Sequence, residues 1–598
     1  METAPDPLLS CWSWLSCRTL GASVVILVTV TFSKHILQPF HDGKRTKASP
    51  FITRTLSKAE GLSRQKKYAE AEKEYRAAYA ECLLLLGARD QNTIACRRGL
   101  AEAIRWQHDG REIEAAGHYR AVLNFLEHRK EGASHDAYVL KNSLAIVLYA
   151  ANRRDEALQV RLGMVSVCER AHGAEHPDTV GARLNLAALL SSMGRHAEAS
   201  QECWTAFSVL ECVHGPEQTD TLTAHGRYAG TLQQMGRSAE AEEEYRAVIA
   251  IEERTHRADS LLLENHRDNL AYVLHSLHKY DEEEQLRRAV VASQEKRNGP
   301  DHPVTLTGRR TLAMFLSAQH KHAGAEKEYR KLLAGEQRTL GPDHKNTAIS
   351  LSLLAGALKA QGRVAEVEPE YRALLSAVEQ LRGPEHPVAI SLRSSLAIEL
   401  YAQGKNAAAE QEFRTVLGIR ERTVGPDHRD TLESRLNLGH SLYSQKKFAE
   451  AEKEYRAVVT IREQNFGLDH PGTVDSRYHL TQAVLFQRKF AEAEKELRPL
   501  LAIRERLLGK EHGDVLQVAF SLAVSLEMQG KFPEALALAI RIELSHRKTL
   551  GPEQYLSRVS RGFREYIVEK WIKQDGVGWP WIPWGAFPRS GPPVPEQK

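Results

Sequence analysis

Apolar residues recur at helical spacing, in blocks of equal length, along most of the chain. In the block that covers residues 425–466, two segments have apolar positions three and four residues apart, the spacing of an amphipathic helix. The first segment spans about residues 431–444 and the second about residues 449–464. Gly425 and Pro426 precede them, where glycine favours a helix end and proline prevents continuation. The block therefore predicts a helix, a short turn and a second helix.

This block repeats with a period of 42 residues, and glycines mark the period. A strict period of this length is typical of a repeat array. Neither helix of a block can bury its apolar stripe alone, so adjacent blocks must stack. The sequence predicts about twelve helix pairs, with two extra residues near the start. The glycines on the common grid are Gly173, Gly215, Gly299, Gly341, Gly383, Gly425, Gly467, Gly509 and Gly551.

Small residues occupy fixed positions on both helices of the block. A small side chain lets two helix axes approach to about 8–10 Å, so these positions predict helix contacts. The column on the second helix is Ala71, Ala115, Ala157, Ala199, Ala241, Ala325, Ala409, Ala451, Ala493 and Ala535. The column on the first helix is Ala145, Ala187, Ala229, Ala271, Ala313, Ala355 and Ala397.

Leu-Ala on the first helix and Glu-Ala on the second make the block similar to the tetratricopeptide repeat. The 42-residue length, with Leu-Gly-Pro-Asp/Glu-His-Pro between blocks, resembles the kinesin light chain type of that repeat. The resemblance covers about residues 51–550. It implies an all-α fold, a right-handed superhelical α-solenoid of about twelve helix-turn-helix repeats that a capping helix closes.

Composition and charge exclude several classes of protein. Only 7% of the 598 residues are aromatic, which suits a helical array better than a single globular core. A net charge of +4 is too balanced for a nucleic-acid surface, so we expect no nucleic-acid partner. The seven cysteines form no CxxC pair and predict free thiols in a reducing compartment.

No motif for catalysis or for a cofactor occurs in the sequence, so an enzyme is not predicted. The one regular set of metal-ligating residues is a histidine in the turn before most blocks. Histidines one repeat apart are separated by a helix layer and cannot share an ion, so they are predicted to be turn residues. They are His176, His302, His344, His386, His428, His470 and His512.

Residues 1–50 differ from the repeats. After a short leading segment, 1–14, an uncharged run lies between Arg18 and Lys34. Together with its flanks it predicts a membrane-spanning helix over 15–37. The excess of basic residues in the linker 38–50 places the repeats on the cytoplasmic side of a single-pass membrane protein. The alternative is a cleaved signal peptide and export.

The C-terminal end also departs from the repeat. Residues 551–574 predict a charged amphipathic capping helix. Prolines every few residues make 575–598 a tail without helix. Its tryptophans, Trp579, Trp581 and Trp584, either pack on the last helix or form a recognition peptide.

A basic column lies three positions before the leucine of the first helix. Two interpretations are open: a ladder of arginines that pair with carboxylates such as Glu410, Glu452 or Glu494, or a positive stripe that attracts acidic peptides. The arginines proposed for peptide binding are Arg183, Arg267, Arg309, Arg393, Arg435 and Arg477.

A polar column lies one position before the same leucine. The resemblance implies that this position faces the concave groove, where asparagines hold an extended peptide by its backbone. Asn185, Asn269 and Asn437 are the resulting candidates. Other residues replace asparagine in most blocks, and no heptad coiled coil precedes the repeats as in a kinesin light chain.

The sequence thus predicts a non-catalytic protein–protein interaction scaffold that binds an extended, acidic peptide segment of another protein in its concave groove and is anchored to a membrane. The alternative is an architectural protein that associates with itself through repeat edges and the tryptophan-rich tail.

Overall fold

The computed structural model describes residues 50–107, 109–129, 131–132, 134–255, 260–551 and 553–573. The predicted membrane-spanning segment 15–37 and the tail 575–598 lie outside these residues. The chain divides into two compact units, Met1–Thr255 and His256–Lys598, and each unit is described by itself.

Within the described residues the chain forms 25 α-helices, one 3-10 turn (Val364–Glu366) and no strand. The first unit contains α1 Pro50–Arg64, α2 Tyr68–Leu85, α3 Gln91–Arg105, α4 Glu112–His128, α5 His135–Ala150, α6 Arg154–His172, α7 Pro177–Ser192, α8 His196–His214, α9 Thr219–Gln234 and α10 Ser238–Arg254. The second unit contains α11 Leu261–Ser276, α12 Tyr280–Asn298, α13 Pro303–Ala318, α14 His322–Thr339, α15 Lys345–Ala360, α16 Val367–Arg382, α17 Pro387–Ala402, α18 Asn406–Thr423, α19 Arg429–Ser444, α20 Phe448–Phe466, α21 Pro471–Phe486, α22 Phe490–Leu508, α23 Gly513–Met528, α24 Phe532–Leu550 and α25 Tyr555–Lys573.

The helices form twelve antiparallel pairs, followed by α25. We call the odd-numbered helices α1–α23 the A helices and the even-numbered helices the B helices. Within each unit, every helix packs against its neighbours along the chain. The prediction of an all-α array of stacked helix pairs is therefore confirmed.

Alanine permits this close stacking on the B helices. All ten alanines of the predicted B-helix column are fully buried. Two other residues stand at the same position: Val367 in α16 and Glu283 in α12, both also 0% exposed. Glu283 is tolerated because Arg287, one turn later, donates to it at 2.8 Å.

A repeated set of hydrogen bonds shapes the turn between pairs. Before α19, Gly425 has a φ of +95°, a conformation that favours glycine. The Thr431 hydroxyl donates to the Gly425 carbonyl at 2.8 Å. The His428 Nδ1 accepts from the backbone N–H of Asp430 at 3.2 Å, so His428 caps the helix N-terminus.

Histidine is thus the N-terminal cap, a role that the sequence pattern did not predict. The same N-cap recurs at seven A helices: His176, His302, His344, His386, His428, His470 and His512.

The predicted single-pass membrane localisation is contradicted. None of the helices in the part of the chain that the structure describes is long and apolar enough to cross a bilayer. Each A and B helix instead combines an apolar stripe with a polar face, because one side packs on neighbouring helices and the other does not.

Replacement of the cap tests the role of the turn histidines. We expect His428→Ala to lower the free energy of unfolding by about 0.5–2 kcal/mol, because an N–H of the first turn of α19 loses its acceptor. His428→Asn, which restores a side-chain acceptor, should retain most of the stability. Urea unfolding and amide exchange in α19 measure both; equal effects of alanine and asparagine would contradict the capping role.

Candidate interaction surface

The A helix α19 has one side that the stacking of helices covers only in part. In α19, Glu433 and Ser444 are exposed, whereas Leu436, Asn437 and His440 are half-buried. Their spacing places them along one side of the helix. We call the positions of Glu433, Leu436, Asn437 and His440, taken in every A helix, the A-helix strip.

The three predicted asparagines lie on this strip. Asn185 belongs to the first unit, and its Nδ2 donates to the Tyr138 hydroxyl at 3.1 Å. Asn269 and Asn437 belong to the second unit, are half-buried and make no side-chain hydrogen bond to any described residue. Their amides therefore remain available, and each offers both a donor and an acceptor.

The predicted arginines lie between B helices instead of on the strip. Arg435 of α19 donates to Glu454 of α20 at 2.7 Å and also to Glu421 of α18. It therefore connects the B helix before its own A helix to the B helix after it. Arg477 donates to Glu463 at 2.5 Å, and Arg267 is half-buried at the equivalent position of α11.

The same double bridge occurs in three further repeats. Each arginine contacts a glutamate 14 residues before it and another 19 residues after it. The bridges are Arg183 with Glu169 and Glu202, Arg309 with Glu295 and Glu328, and Arg393 with Glu379 and Glu412.

This pairing changes the electrostatics expected for the column. Each double bridge places one positive charge beside two negative ones, so the bridged arginines do not form a positive stripe. Their partners also differ from those the sequence suggested. Glu494, for example, accepts instead from Lys531, Arg498 and Gln529, and the hydrogen bond from Lys531 lowers the pKa of Glu494 to about 2. A role of these arginines in peptide binding stays a prediction.

A cluster of aromatic rings on the strip of the second unit was missed by the sequence reasoning. The Tyr455 hydroxyl hydrogen-bonds His440 Nδ1 at 2.8 Å. The His440 and His479 rings have centroids 4.5 Å apart. Burial lowers the pKa of His440 to about 3 and that of His479 to about 4, so both are neutral at pH 7. In the sequence, the only indication of this cluster is the presence of His440 and His479 on successive A helices.

The described residues show no metal centre: no group of three or more histidine, cysteine or acidic side chains converges on one point. The turn histidines are occupied as helix caps. The cysteines that the structure describes are free, and Cys212 is exposed whereas the others are buried.

This geometry defines a class of protein: helix pairs stacked within each unit, with a strip of half-buried residues on A helices and no converging group of metal-ligating side chains in the described residues. A family model described as tetratricopeptide repeat matches residues 304–373, 400–464 and 430–498. A second model of the same description matches residues 140–178 and 265–304. The matched segments are tetratricopeptide repeats, of the kinesin-light-chain-like form that the 42-residue period predicts. The chain is a protein–protein interaction scaffold, in a family whose members are typically non-catalytic.

Several solved structures are similar to parts of the chain. A candidate kinesin light chain of Podosopora anserina with nearly identical TPR-like repeats is 24% identical, covers 35% of this chain and 98% of its own, and has a TM-score of 0.32. BtubC (BKLC) from P. vanneervenii is 20% identical over 40% of this chain and 92% of its own, with a TM-score of 0.34. The apo form of RapI is 13% identical over 62% of this chain and 98% of its own, with a TM-score of 0.36. No curated protein matches the chain.

The double bridges are expected to stabilise the array. Arg309 and Glu328 have side chains only 5% and 6% exposed, and Arg309→Met leaves the buried Glu328 carboxylate with only the longer 3.5 Å pair to Lys331, so the substitution should cost about 3 kcal/mol of unfolding free energy. The matched control is Arg338→Met, which removes an ion pair whose arginine is 59% exposed and should change the stability far less. Equal losses in urea unfolding would contradict a structural role for the column.

The half-buried histidines His440 and His479 predict a pH dependence of stability. Their pKa values of about 3 and 4 lie below the value of about 6.5 expected in the unfolded chain. Stability from this cluster is therefore complete above about pH 6.5 and is lost as the pH falls from there through 4, by up to about 1.4 kcal/mol per pH unit for each histidine. Urea unfolding at pH 7 and pH 5 measures the loss. The double variant His440→Gln with His479→Gln should lose less unfolding free energy between pH 7 and pH 5 than the wild type. The control His214→Gln, at an exposed site, should lose as much as the wild type. A double variant that loses as much as the wild type would refute the assignment.

Proposed function

We propose that the A-helix strip holds an extended segment of a partner protein by its backbone. The observation that supports this is the state of Asn269 and Asn437. Both amides are half-buried and have no hydrogen-bond partner in the described structure. Leaving a half-buried amide without a hydrogen bond costs free energy. A peptide backbone offers N–H and C=O groups that can pair with it.

The acidic character predicted for the guest does not follow from the arginine column. In four repeats the arginine lies against two glutamates, so the column offers no unpaired positive charge there. The proposal for the second unit therefore rests on backbone recognition. Any preference for an anionic guest has to arise from other residues.

A peptide selection tests the proposal. Peptides are selected from a random library on the purified chain, and their affinities are measured for the wild type and for the double variant Asn269→Ala with Asn437→Ala. We expect at least a tenfold loss of affinity, because each asparagine supplies hydrogen bonds of about 1 kcal/mol or more to the guest backbone. Asn465→Ala, on the exposed side of α20, is the matched control and should change nothing.

Two results would contradict this function: selected peptides that bind the double variant as tightly as the wild type, or photo-crosslinks that map to the B helices. Self-association, the alternative from the sequence, depends in part on the tail outside the described residues. Sedimentation distinguishes it, since a mass that rises with protein concentration would favour that alternative.

A further inference from the structure

The last B helix that the structure describes, α24, has an apolar stripe where the other B helices of its unit are charged. Leu536, Ile540 and Leu544 follow one another at intervals of four residues, so they lie along one side of the helix. Ile540 is 40% exposed and Leu544 is 58% exposed, whereas Leu536 is half-buried. Single exposed apolar residues are common on protein surfaces, but three on one side of a helix call for a cover. We call these three residues the α24 stripe.

The first two positions of the stripe connect neighbouring repeats elsewhere in the unit. In α20 they are Glu452 and Arg456. Glu452 accepts from Lys489, at the start of α22, at 2.8 Å, and Arg456 donates to Glu492 of α22 at 2.7 Å. Both positions therefore face the next B helix. A glutamate and an arginine stand at them in all six preceding B helices of the unit, the even-numbered helices from α12 to α22.

In α24 both charges are replaced by aliphatic side chains, and no further B helix follows among the residues up to 573 that the structure describes. A position that only water covers favours a charged residue, because exposed apolar area costs free energy. Leu536 and Ile540 therefore indicate that an apolar group covers α24 on the side where the next B helix lies in earlier repeats.

This cover is not expected to be an ordinary B helix, because α25 lacks the residue that would receive one. In α19 the position is Gly439, where a Cβ would lie 2.5 Å from the ring of Tyr455 in the B helix of the same pair. The equivalent residue of α25 is Glu565, whose side chain is 62% exposed. The prolines after residue 579 also predict no helix in the tail.

The segment that follows α25 begins beside the α24 stripe. Lys570, near the end of α25, pairs with Glu527, shortly before α24 begins, and α25 packs against α24. The C-terminal end of α25 therefore lies at the end of α24 that carries Leu536. Six residues lead from Lys573 to Trp579, and an extended segment of that length reaches about 20 Å, twice the usual distance of about 10 Å between packed helix axes.

We propose that residues 574–598 of the same chain cover the α24 stripe with their tryptophans, in the place that the next B helix takes in earlier repeats. From Leu536 to Leu544 the stripe is about 12 Å long. The five residues from Trp579 to Trp584 cover about 16 Å at polyproline spacing, so the tryptophans can follow the stripe over its whole length. Tryptophan contributes a large apolar area, and a proline-rich segment loses little conformational entropy when it is fixed on a surface.

This contact is independent of the function proposed for the A-helix strip, because the α24 stripe lies on a B helix. It assigns the tryptophans of the tail to packing rather than to the recognition of a partner. The helix they cover is α24 and not α25, the last helix that the structure describes.

Photo-crosslinking in the full chain tests the contact. A benzophenone amino acid replaces Ile540, and crosslinked peptides are identified by mass spectrometry in an equal mixture of unlabelled and isotope-labelled chains. We expect crosslinks to residues 574–598 within one chain. The control places the same amino acid at Thr460, the exposed position of α20 that corresponds to Leu544, and should give no crosslink to the tail. Crosslinks that join a labelled to an unlabelled chain, or no crosslink to residues 574–598, would overturn the proposal.

A synthetic peptide of residues 574–598 tests the same contact in trans. The full chain with Trp579→Ala, Trp581→Ala and Trp584→Ala leaves the stripe uncovered, so it should bind the peptide. The wild-type chain should bind it at least about tenfold more weakly, because its own tail competes at a high effective concentration. A triple variant that does not bind the peptide, or that binds it only as tightly as the wild type does, would overturn the proposal.

A substitution on α24 locates the peptide. Ile540→Arg restores the charged residue of the other B helices, and in the triple variant it should weaken peptide binding at least about tenfold, because the tryptophans then meet a charge instead of an apolar side chain. Ile540 is exposed, so the array should still fold, which circular dichroism checks. Thr460→Arg is the matched control and should leave the affinity unchanged. Equal affinities with and without Ile540→Arg would overturn the assignment to the α24 stripe.

Discussion

The structure depends on the burial of one helix stripe by the next helix. An A or B helix of fifteen to nineteen residues cannot stably bury its apolar side alone, and alanine at the centre of the contact lets the neighbouring helix approach closely. Ala451 and its equivalents are fully buried for this reason. The turn with Gly425, His428 and Thr431 fixes where each pair ends and the next begins. Stability in such an array is local, because each pair contacts only its neighbours.

Charged residues also connect neighbouring helix pairs. Arg435 bridges two B helices, and Glu494 accepts from a lysine of the next repeat, so much of the charge on the chain is used to connect adjacent pairs. Residues that escape this pairing are therefore informative. Asn269 and Asn437 have amides without a partner in the described structure, and both lie on the A-helix strip. We therefore expect a partner to bind where polar groups of the chain lack a hydrogen-bond or ion-pair partner within the chain.

Much of the fold could be predicted from the sequence, because spacing alone defines it. The 42-residue grid predicted the helix pairs, and the alanine column predicted the contacts. Ion-pair partners could not be predicted in this way: Arg435 contacts residues 14 positions before it and 19 after it, distances that depend on how the helices cross. The cap was missed because histidine is not among the residues usually preferred at that position.

The candidate site was predicted only in part. The positions of Asn185, Asn269 and Asn437 follow from the repeat, but whether their amides are paired requires coordinates. The α24 stripe was overlooked because an exposed leucine or isoleucine on a helix is ordinary. Its signal was present in the sequence, since Leu536 and Ile540 interrupt columns of glutamates and arginines. The predicted membrane anchor relied on an apolar run outside the repeats, where periodicity gives no support.

Nearest-neighbour stacking is the central claim, and amide hydrogen exchange resolved by helix tests it most directly. Ala451→Leu places a larger side chain at a fully buried position and forces α20 away from its neighbours. The account predicts that α19, α20 and α21 lose protection together, while α12 and α13 of the same unit keep theirs. Loss of protection confined to α20, or spread evenly over the unit, would contradict it.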